Sequence, residues 1–439
     1  MDVQELREVR RDLSRFVSKF SACIKTKQSR AHLRTYVTGQ LGSLERKSIE
    51  PMALEAGVAP RTLQEFLSFH RWDETRVGRR LRAWVKRTHP DPNAIGVIDE
   101  TGFAKKGDKT TGVQRQYCGS TGKTDNCLVS VHLGYVTEDF HAILDGDLYL
   151  PKSWTEDPQR RRAAGIPEDV VFRPKWRIAL DLMENSRAEG VLLRWITADE
   201  FYGRAREFRE GVAAMGYNYV VEIPSNLTGW TRAPQVEPAG SVRASGRTLK
   251  RSRVAEDERE ARAVSDLWHR GGPSWQLYQV KETQKGLVVW EVRETRFFPN
   301  RDGVPGEEVR LLIARDVLTG EMKYFLAHAP GKPTKEILCV AFSRWHIERL
   351  FEDSKGEVGL DHFEVRKHRS LRRHLILSQL SIAFLADRTT ELRKKNLLVE
   401  PLSGAQGRGG ATRLDRTEVS KDAPIGTDGG QDRVLATSG

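Results

Sequence analysis

Between residues 94 and 224, short apolar runs alternate with amphipathic stretches in an order that leaves few folds open. AIGVIDETGF (94–103), NCLVSVHLGYV (126–136) and FHAILDGDLYLP (140–151) each have the length and pattern of a strand. GSTGKTDN, between the first two, is a turn signal. Residues 152–169 read as a polar loop with an RRR run. RIALDLMENSRAEG (177–190) is amphipathic and ends at Gly190, as a helix C-terminus does. VLLRWITADEFYG (191–203) predicts a strand, a helix follows to about Met215, and YNYVVEIP (217–224) predicts another strand. Three strands, a helix, a strand, a helix and a strand, closely connected, predict a mixed five-stranded α/β sheet.

The flanking regions differ. Residues 1–90 read as a helical, basic domain, with apolar residues at three- and four-residue spacing such as Leu6, Leu13, Phe16, Val17 and Phe20. Within it, MALEAGVAPRTLQEFL has the spacing of a helix-turn-helix, with Gly57 at the turn and Pro60 near the start of the second helix. Arg61, Gln64 and His70 would then reach DNA; an ordinary helical hairpin is the alternative. The core, 91–224, is followed by a β-rich insertion, 225–320, rich in Arg, Gly, Ser and Glu to about 265 and strand-patterned after it. The core resumes over 321–398 with a strand (322–330), a long helical stretch from Lys335 and a helix over roughly 370–395. The tail, 399–439, has few large apolar residues and is expected to be disordered.

Charge narrows the partners. Lys and Arg exceed Asp and Glu by 12, and residues 1–90 hold 19 basic against 10 acidic residues. A basic segment of this kind marks contact with a polyanion, with a solvated basic surface as the alternative. No apolar run approaches the roughly 20 residues of a membrane span. The start, MDVQELREVRRDL, has no apolar h-region, and Cys23, Cys118, Cys127 and Cys339 fit neither a zinc site nor a disulfide framework. A cytoplasmic protein is expected.

Three acids carry the candidate chemistry. Asp99 ends the first strand, Asp199 ends the fourth, and Glu348 lies on the late helix in RWHIERLFEDSK. Acids at strand ends stand at the carboxyl edge of the sheet, where open α/β folds keep their sites. Three converging carboxylates repel one another unless a hard divalent cation joins them. Two such ions can serve phosphodiester cleavage. A strand-end Asp is also a common helix N-cap, and Glu100, Glu200, Glu352, Asp145 and Asp147 compete for the role. On the late helix, Arg344, Glu348 and Lys355 share one face with Glu352. That set suits a docked phosphate backbone, or equally a surface salt-bridge ladder.

VIDETGFAKKG, RQYCGSTGKTDNCLVSVHLGY, LYLPKSW, WITADEFYG and RWHIERLFEDSKGEVGLDHFEVR, in this order from about 95 to 385, resemble insertion-sequence transposases of the DDE class. The chain is most similar to the IS family-four superfamily and its IS-seven-hundred-and-one branch. The resemblance implies an RNase H-like catalytic domain, interrupted by the β-rich insertion and preceded by the helical DNA-binding domain. It places the catalytic, metal-holding acids on Asp99, Asp199 and Glu348. It implies Mg²⁺ or Mn²⁺, two ions, as cofactor. The superfamily signature Tyr, two residues, Arg, three residues, Glu, six residues, Lys is kept at Arg344, Glu348 and Lys355, but its Tyr position is Ala341.

The implied activity is cleavage at transposon ends followed by strand transfer into target DNA. Arg344 and Lys355 would position the phosphate backbone, and Lys105 and Lys106 would touch DNA or lie in a solvated loop. Trp268, Trp275 and Trp290 in the insertion are candidates for handling a flipped base, with core packing the favoured reading. The implied partners are the terminal inverted repeats and target DNA, with a homodimer in the synaptic complex, in a bacterial cytoplasm at the nucleoid. The competing readings are a nuclease or resolvase without strand transfer and a decayed transposase that only binds DNA.

Overall fold

The computed structural model describes residues 3–242, 248–267, 274–283 and 286–399. Trp268 and the expected disordered tail from 400 lie outside them. The chain opens with five helices: α1 (Val3–Ser18), α2 (Lys27–Leu41), α3 (Ile49–Glu55), α4 (Pro60–Ser68) and α5 (Glu74–Thr88). Local chemistry sets their ends. Pro60 takes the first position of α4, where its missing N–H costs nothing. Asp73 caps α5 by accepting from the N–H groups of Thr75 (2.9 Å) and Arg76 (3.2 Å). Between α3 and α4 the chain turns at Gly57, whose φ of 67° suits glycine.

The sheet begins with β1 (Ile95–Ala104), β2 (Gln114–Cys118), β3 (Lys123–Val136) and β4 (His141–Tyr149). After α6 (Lys152–Thr155), α7 (Pro158–Ala164) and α8 (Lys175–Ala188) come β5 (Trp195–Ala198), α9 (Glu200–Gly203), α10 (Arg206–Ala214) and β6 (Asn218–Glu222). β5 runs parallel to β1 and β6 parallel to β5, whereas β3 is antiparallel to β1 and β4 to β3. The order β4-β3-β1-β5-β6 makes the mixed five-stranded core that the alternation of runs predicts. Two local readings differ. GSTGKTDN closes a hairpin whose first arm, β2, carries too few large apolar residues to register as a strand. The polar loop expected over 152–169 contains α6 and α7, the latter capped by Asp157.

Further strands follow: β7 (Thr228–Trp230), β8 (Val236–Glu237), β9 (Arg253–Val254), β10 (Arg262–Ala263), β11 (Gln276–Thr283), β12 (Gly286–Arg301), β13 (Val304–Pro305), β14 (Val309–Asp316) and β15 (Met322–His328). β8 and β9 pair only with each other, but the rest extend the core sheet, because β15 pairs antiparallel with β6 and β14 with β15. Trp290 is buried against Phe342, and Trp275 lies under Arg293 and Arg315 at 4.7 and 4.8 Å. Both tryptophans are packing residues.

The chain ends in α11 (Thr334–Phe342), α12 (Trp345–Val358) and α13 (His368–Val399). The long late helix expected from Lys335 is therefore two helices, broken at Ser343–Arg344. Ala341 falls on α11 and packs in the cluster around Trp290, on a different helix from Glu348. α1–α5 and α13 share one apolar cluster with the sheet, in which Phe16 meets Trp84 at 5.0 Å and Phe384 at 5.5 Å. Residues 1–391 form one unit; of the second, 392–439, only the end of α13 is described. Among the described residues no helix is long and apolar enough to cross a membrane.

Candidate active site

β1 is buried where it crosses the core, and its apolar residues Val97 and Ile98 are fully covered. Packing at Gly96 is close: a Cβ would stand 2.7 Å from the end of the Ile196 side chain of β5, which would have to shift. Asp99 does not end β1 as expected, because β1 runs on to Ala104 paired with β3; it stands one residue past the point where the parallel neighbour β5 ends, so only that side of the strand is open. Its carboxylate retains 14% exposure and accepts a hydrogen bond from the N–H of Glu100 at 2.7 Å. Burial first, and the charge of Asp199 second, push the Asp99 carboxyl up to about 8.

Asp199 is the first residue past β5 and the N-cap of α9. Its Oδ1 accepts from the N–H groups of Phe201 (3.1 Å) and Tyr202 (3.3 Å). Capping fixes the side chain at the sheet edge without absorbing its charge, for burial and then Glu100 raise Asp199 to about 6. Asp199 thus both caps α9 and lines the cleft described below. α9 lies so close to β6 that a Cβ on Gly203 would come within 1.8 Å of the Glu222 carbonyl oxygen.

Glu348 is in the first turn of α12, whose apolar residues Ile347, Leu350 and Phe351 pack against the sheet. Its side chain is 55% exposed and stands 2.8 Å from Arg344, which is also 3.7 Å from Asp99. One guanidinium therefore joins the strand acid to the helix acid. A cleft of 790 Å³ contains Asp99, Asp199, Glu348, Arg344 and Lys355 among its lining residues.

The other sequence candidates separate by position. Lys355 lines the cleft, with its Nζ 5.9 Å from the centre of the Phe103 ring. Lys105 donates to the Phe363 carbonyl at 2.9 Å and lies over that ring, so it ties the loop after β1 to the segment after α12. Lys106 is exposed beside it. Arg61 and Gln64 are exposed on α4, bordering a separate groove opposite Arg366 and Lys367. His70 is held by Ser29 at 2.8 Å. Among the competing acids, Asp145 is bound to Arg82 and Asp147 to Arg173, at 2.6 and 2.7 Å. Glu200 is exposed, and Glu352 lines the cleft with Arg349 nearby.

Sequence reasoning missed what surrounds Glu100. Glu100 lines the same cleft and is held by the Lys175 ammonium and by the Tyr202 hydroxyl at 2.7 Å. It also missed Tyr117 and Asp361, both of which line the cleft. The one sequence signal for these is the spacing of Tyr202, three residues beyond Asp199 on the same short helix.

As for a metal, Asp99, Asp199 and Glu348 offer hard oxygen donors of the kind Mg²⁺ and Mn²⁺ take. The charge of Asp199 raises Asp99, and the charge of Glu100 raises Asp199, a repulsion that a cation relieves. With Glu348 bound to Arg344, no three acidic, His or Cys groups among the described residues are gathered tightly enough to enclose an ion. The donor set fits the ion, and the third acid is engaged elsewhere.

A protein from Microchaete diplosiphon described as a probable transposase for insertion sequence element IS701 is 30% identical over 190 residues, 43% of this chain and 47% of that protein. The chain thus matches about half the length of this curated relative. The family model described as DDE superfamily endonuclease matches residues 19–286, which include Asp99 and Asp199. The chain belongs to the DDE superfamily of endonucleases.

Proposed function

We propose that this chain is a DNA transposase that cuts at transposon ends and joins the freed strand to target DNA, with Asp99, Asp199 and Glu348 as its catalytic carboxylates. The observation that carries the reading is their meeting, from the middle of β1, the end of β5 and one helix, in one cleft beside a single arginine. These three residues would hold Mg²⁺ or Mn²⁺, two ions. When bound, the ions supply Lewis acidity at the phosphate being cut. Arg344 sits where it can neutralise a phosphate oxygen, and its fork favours two parallel hydrogen bonds. Lys355 adds charge along the same wall.

Arg61, Gln64 and Lys106 are exposed and are assigned to duplex contacts outside the cleft, with residues 1–90 as the DNA-binding part. A homodimer would bring two ends together at the nucleoid. The test is a cleavage and strand-transfer assay on the DNA flanking the gene, with and without Mg²⁺. Asp99→Ala, Asp199→Ala and Glu348→Ala are each expected to lose at least about a hundredfold in rate, the cost of removing one preorganised electrostatic group. Full activity in any one of them removes that residue from the set. Cleavage without joined product would leave a nuclease.

A further inference from the structure

Among the described residues, four large aromatic side chains are exposed: Phe69, Tyr117, Phe201 and Trp345. One of them lines the cleft, and two more are close in sequence to residues that do. Phe201 lies two residues after Asp199, Trp345 follows Arg344, and Tyr117 lines the cleft itself. Phe201 has the Lys175 ammonium 4.8 Å above its ring, and Trp345 packs on His346 at 4.1 Å. Tyr117 is 64% exposed. It stands on β2, the strand at the end of the sheet, where a bulky apolar ring gains little from folding.

Strand alternation puts Arg115 on the same face, also exposed, while Gln114, Gln116 and Cys118 turn inward. Next to Tyr117 the wall is bare, for Gly119 has open space where a side chain would stand. An exposed ring, a neighbouring guanidinium and an uncluttered wall beside three carboxylates are the parts of a single-strand site. Such sites hold bases by stacking and the backbone by charge.

We propose that Tyr117 and Arg115 form a platform that stacks an unpaired base of the strand whose phosphate lies at the acids. This rests on the DNA reading of the cleft. It assigns to the β2–β3 hairpin a preference for locally unpaired DNA. Base–aromatic stacking is tolerant of sequence, so the platform would act at any base.

The test uses the full-length chain without divalent ions and two labelled probes, an oligothymidylate about a dozen nucleotides long, within the usual single-strand site sizes, and a blunt mixed-sequence duplex. Binding is read by fluorescence anisotropy. Tyr117→Ala is expected to weaken oligothymidylate binding about tenfold and duplex binding less than about twofold, as loss of one stacked base predicts. Tyr117→Trp retains the preference, and Arg115→Gln weakens both probes. Tyr117→Ala that binds oligothymidylate like the parent, or loses both probes equally, overturns the platform while leaving the DNA reading intact. A parent chain that binds neither probe overturns both.

Discussion

Arg344 and Glu348 face each other at 2.8 Å across the first turn of α12, in the cleft that also holds Asp99. The pair is half of a bridge, since the same guanidinium lies 3.7 Å from Asp99. In this arrangement a protein cation balances the acids that a divalent ion would otherwise join. Replacing Arg344 by Gln is expected to abolish most DNA cleavage while leaving Mn²⁺ affinity equal or tighter, because a competing positive charge is gone. Mn²⁺ titration followed by electron paramagnetic resonance checks this, and weaker binding in the variant would show that Arg344 organises the acids instead of competing for them.

Gly203 links the second acid to the sheet. A methyl group there would overlap the Glu222 carbonyl oxygen, which cannot retreat without breaking β6. Gly203→Ala should push α9, and with it the capping Asp199, off the sheet edge. Expected outcomes are a loss of about 2–4 kcal/mol of stability, the upper range for a core clash, and loss of cleavage. Urea unfolding beside the cleavage assay reads both; wild-type stability would mean that α9 has room to move.

Arg82 of α5 is buried, its side chain only 4% exposed, and it holds Asp145 of β4 and Glu189 after α8, each at 2.6 Å. Its removal strands two acids in a site that burial already makes costly for Asp145. Arg82→Met is expected to cost about 3–5 kcal/mol, as breaking a buried ion pair does, whereas Arg79→Met, on the exposed side of the same helix, should cost about 0–1 kcal/mol. Thermal or urea unfolding distinguishes the two, and equal costs would show that the Arg82 cluster adds nothing beyond a surface pair.

His374 of α13 is buried, with its ring nitrogens 2.8 Å from the Tyr36 hydroxyl and 2.9 Å from the Leu360 carbonyl. Burial lowers it from 6.5 to about 4, and burial likewise lowers His368 to about 4. Between these values the unfolded chain binds more protons than the folded one, so stability is complete above pH 6.5 and is lost as pH falls toward 4. Each histidine contributes a slope of at most about 1.4 kcal/mol per pH unit. Asp99 and Asp199, raised by burial, contribute a slope of opposite sign over the same range, so the His374 share is read as a difference: the parent should lose more stability than His374→Gln, or gain less, between pH 7 and pH 5 in unfolding measurements, and parallel slopes would exclude His374 as a source.

The order of the five core strands and the end of β5 at Asp199 were legible because each depends on local pattern. The apolar run before Asp99 marks a buried strand, but not where it stops, because β1 carries on through ETGFA to Ala104 on its pairing with β3. The expected strand run in the insertion was legible from local pattern as well. Its destination was not: that β15 pairs with β6, carrying most of those strands into the core sheet, is a long-range choice with no local signature. The break between α11 and α12 was equally hidden, for Ser343 and Arg344 are compatible with a continuous helix. That break puts Arg344 at the head of α12 and Ala341 on another element.

Periodicity and composition act over a few residues, and they suffice to place the core strands and the helices between them. The neighbours of the acids come from packing between distant segments: Arg344 between Asp99 and Glu348, Lys175 and Tyr202 on Glu100, and Tyr117 on the cleft wall. Those contacts join residues far apart in the chain, and they exist because the packing of α8, α9 and α12 against one sheet brings them within reach.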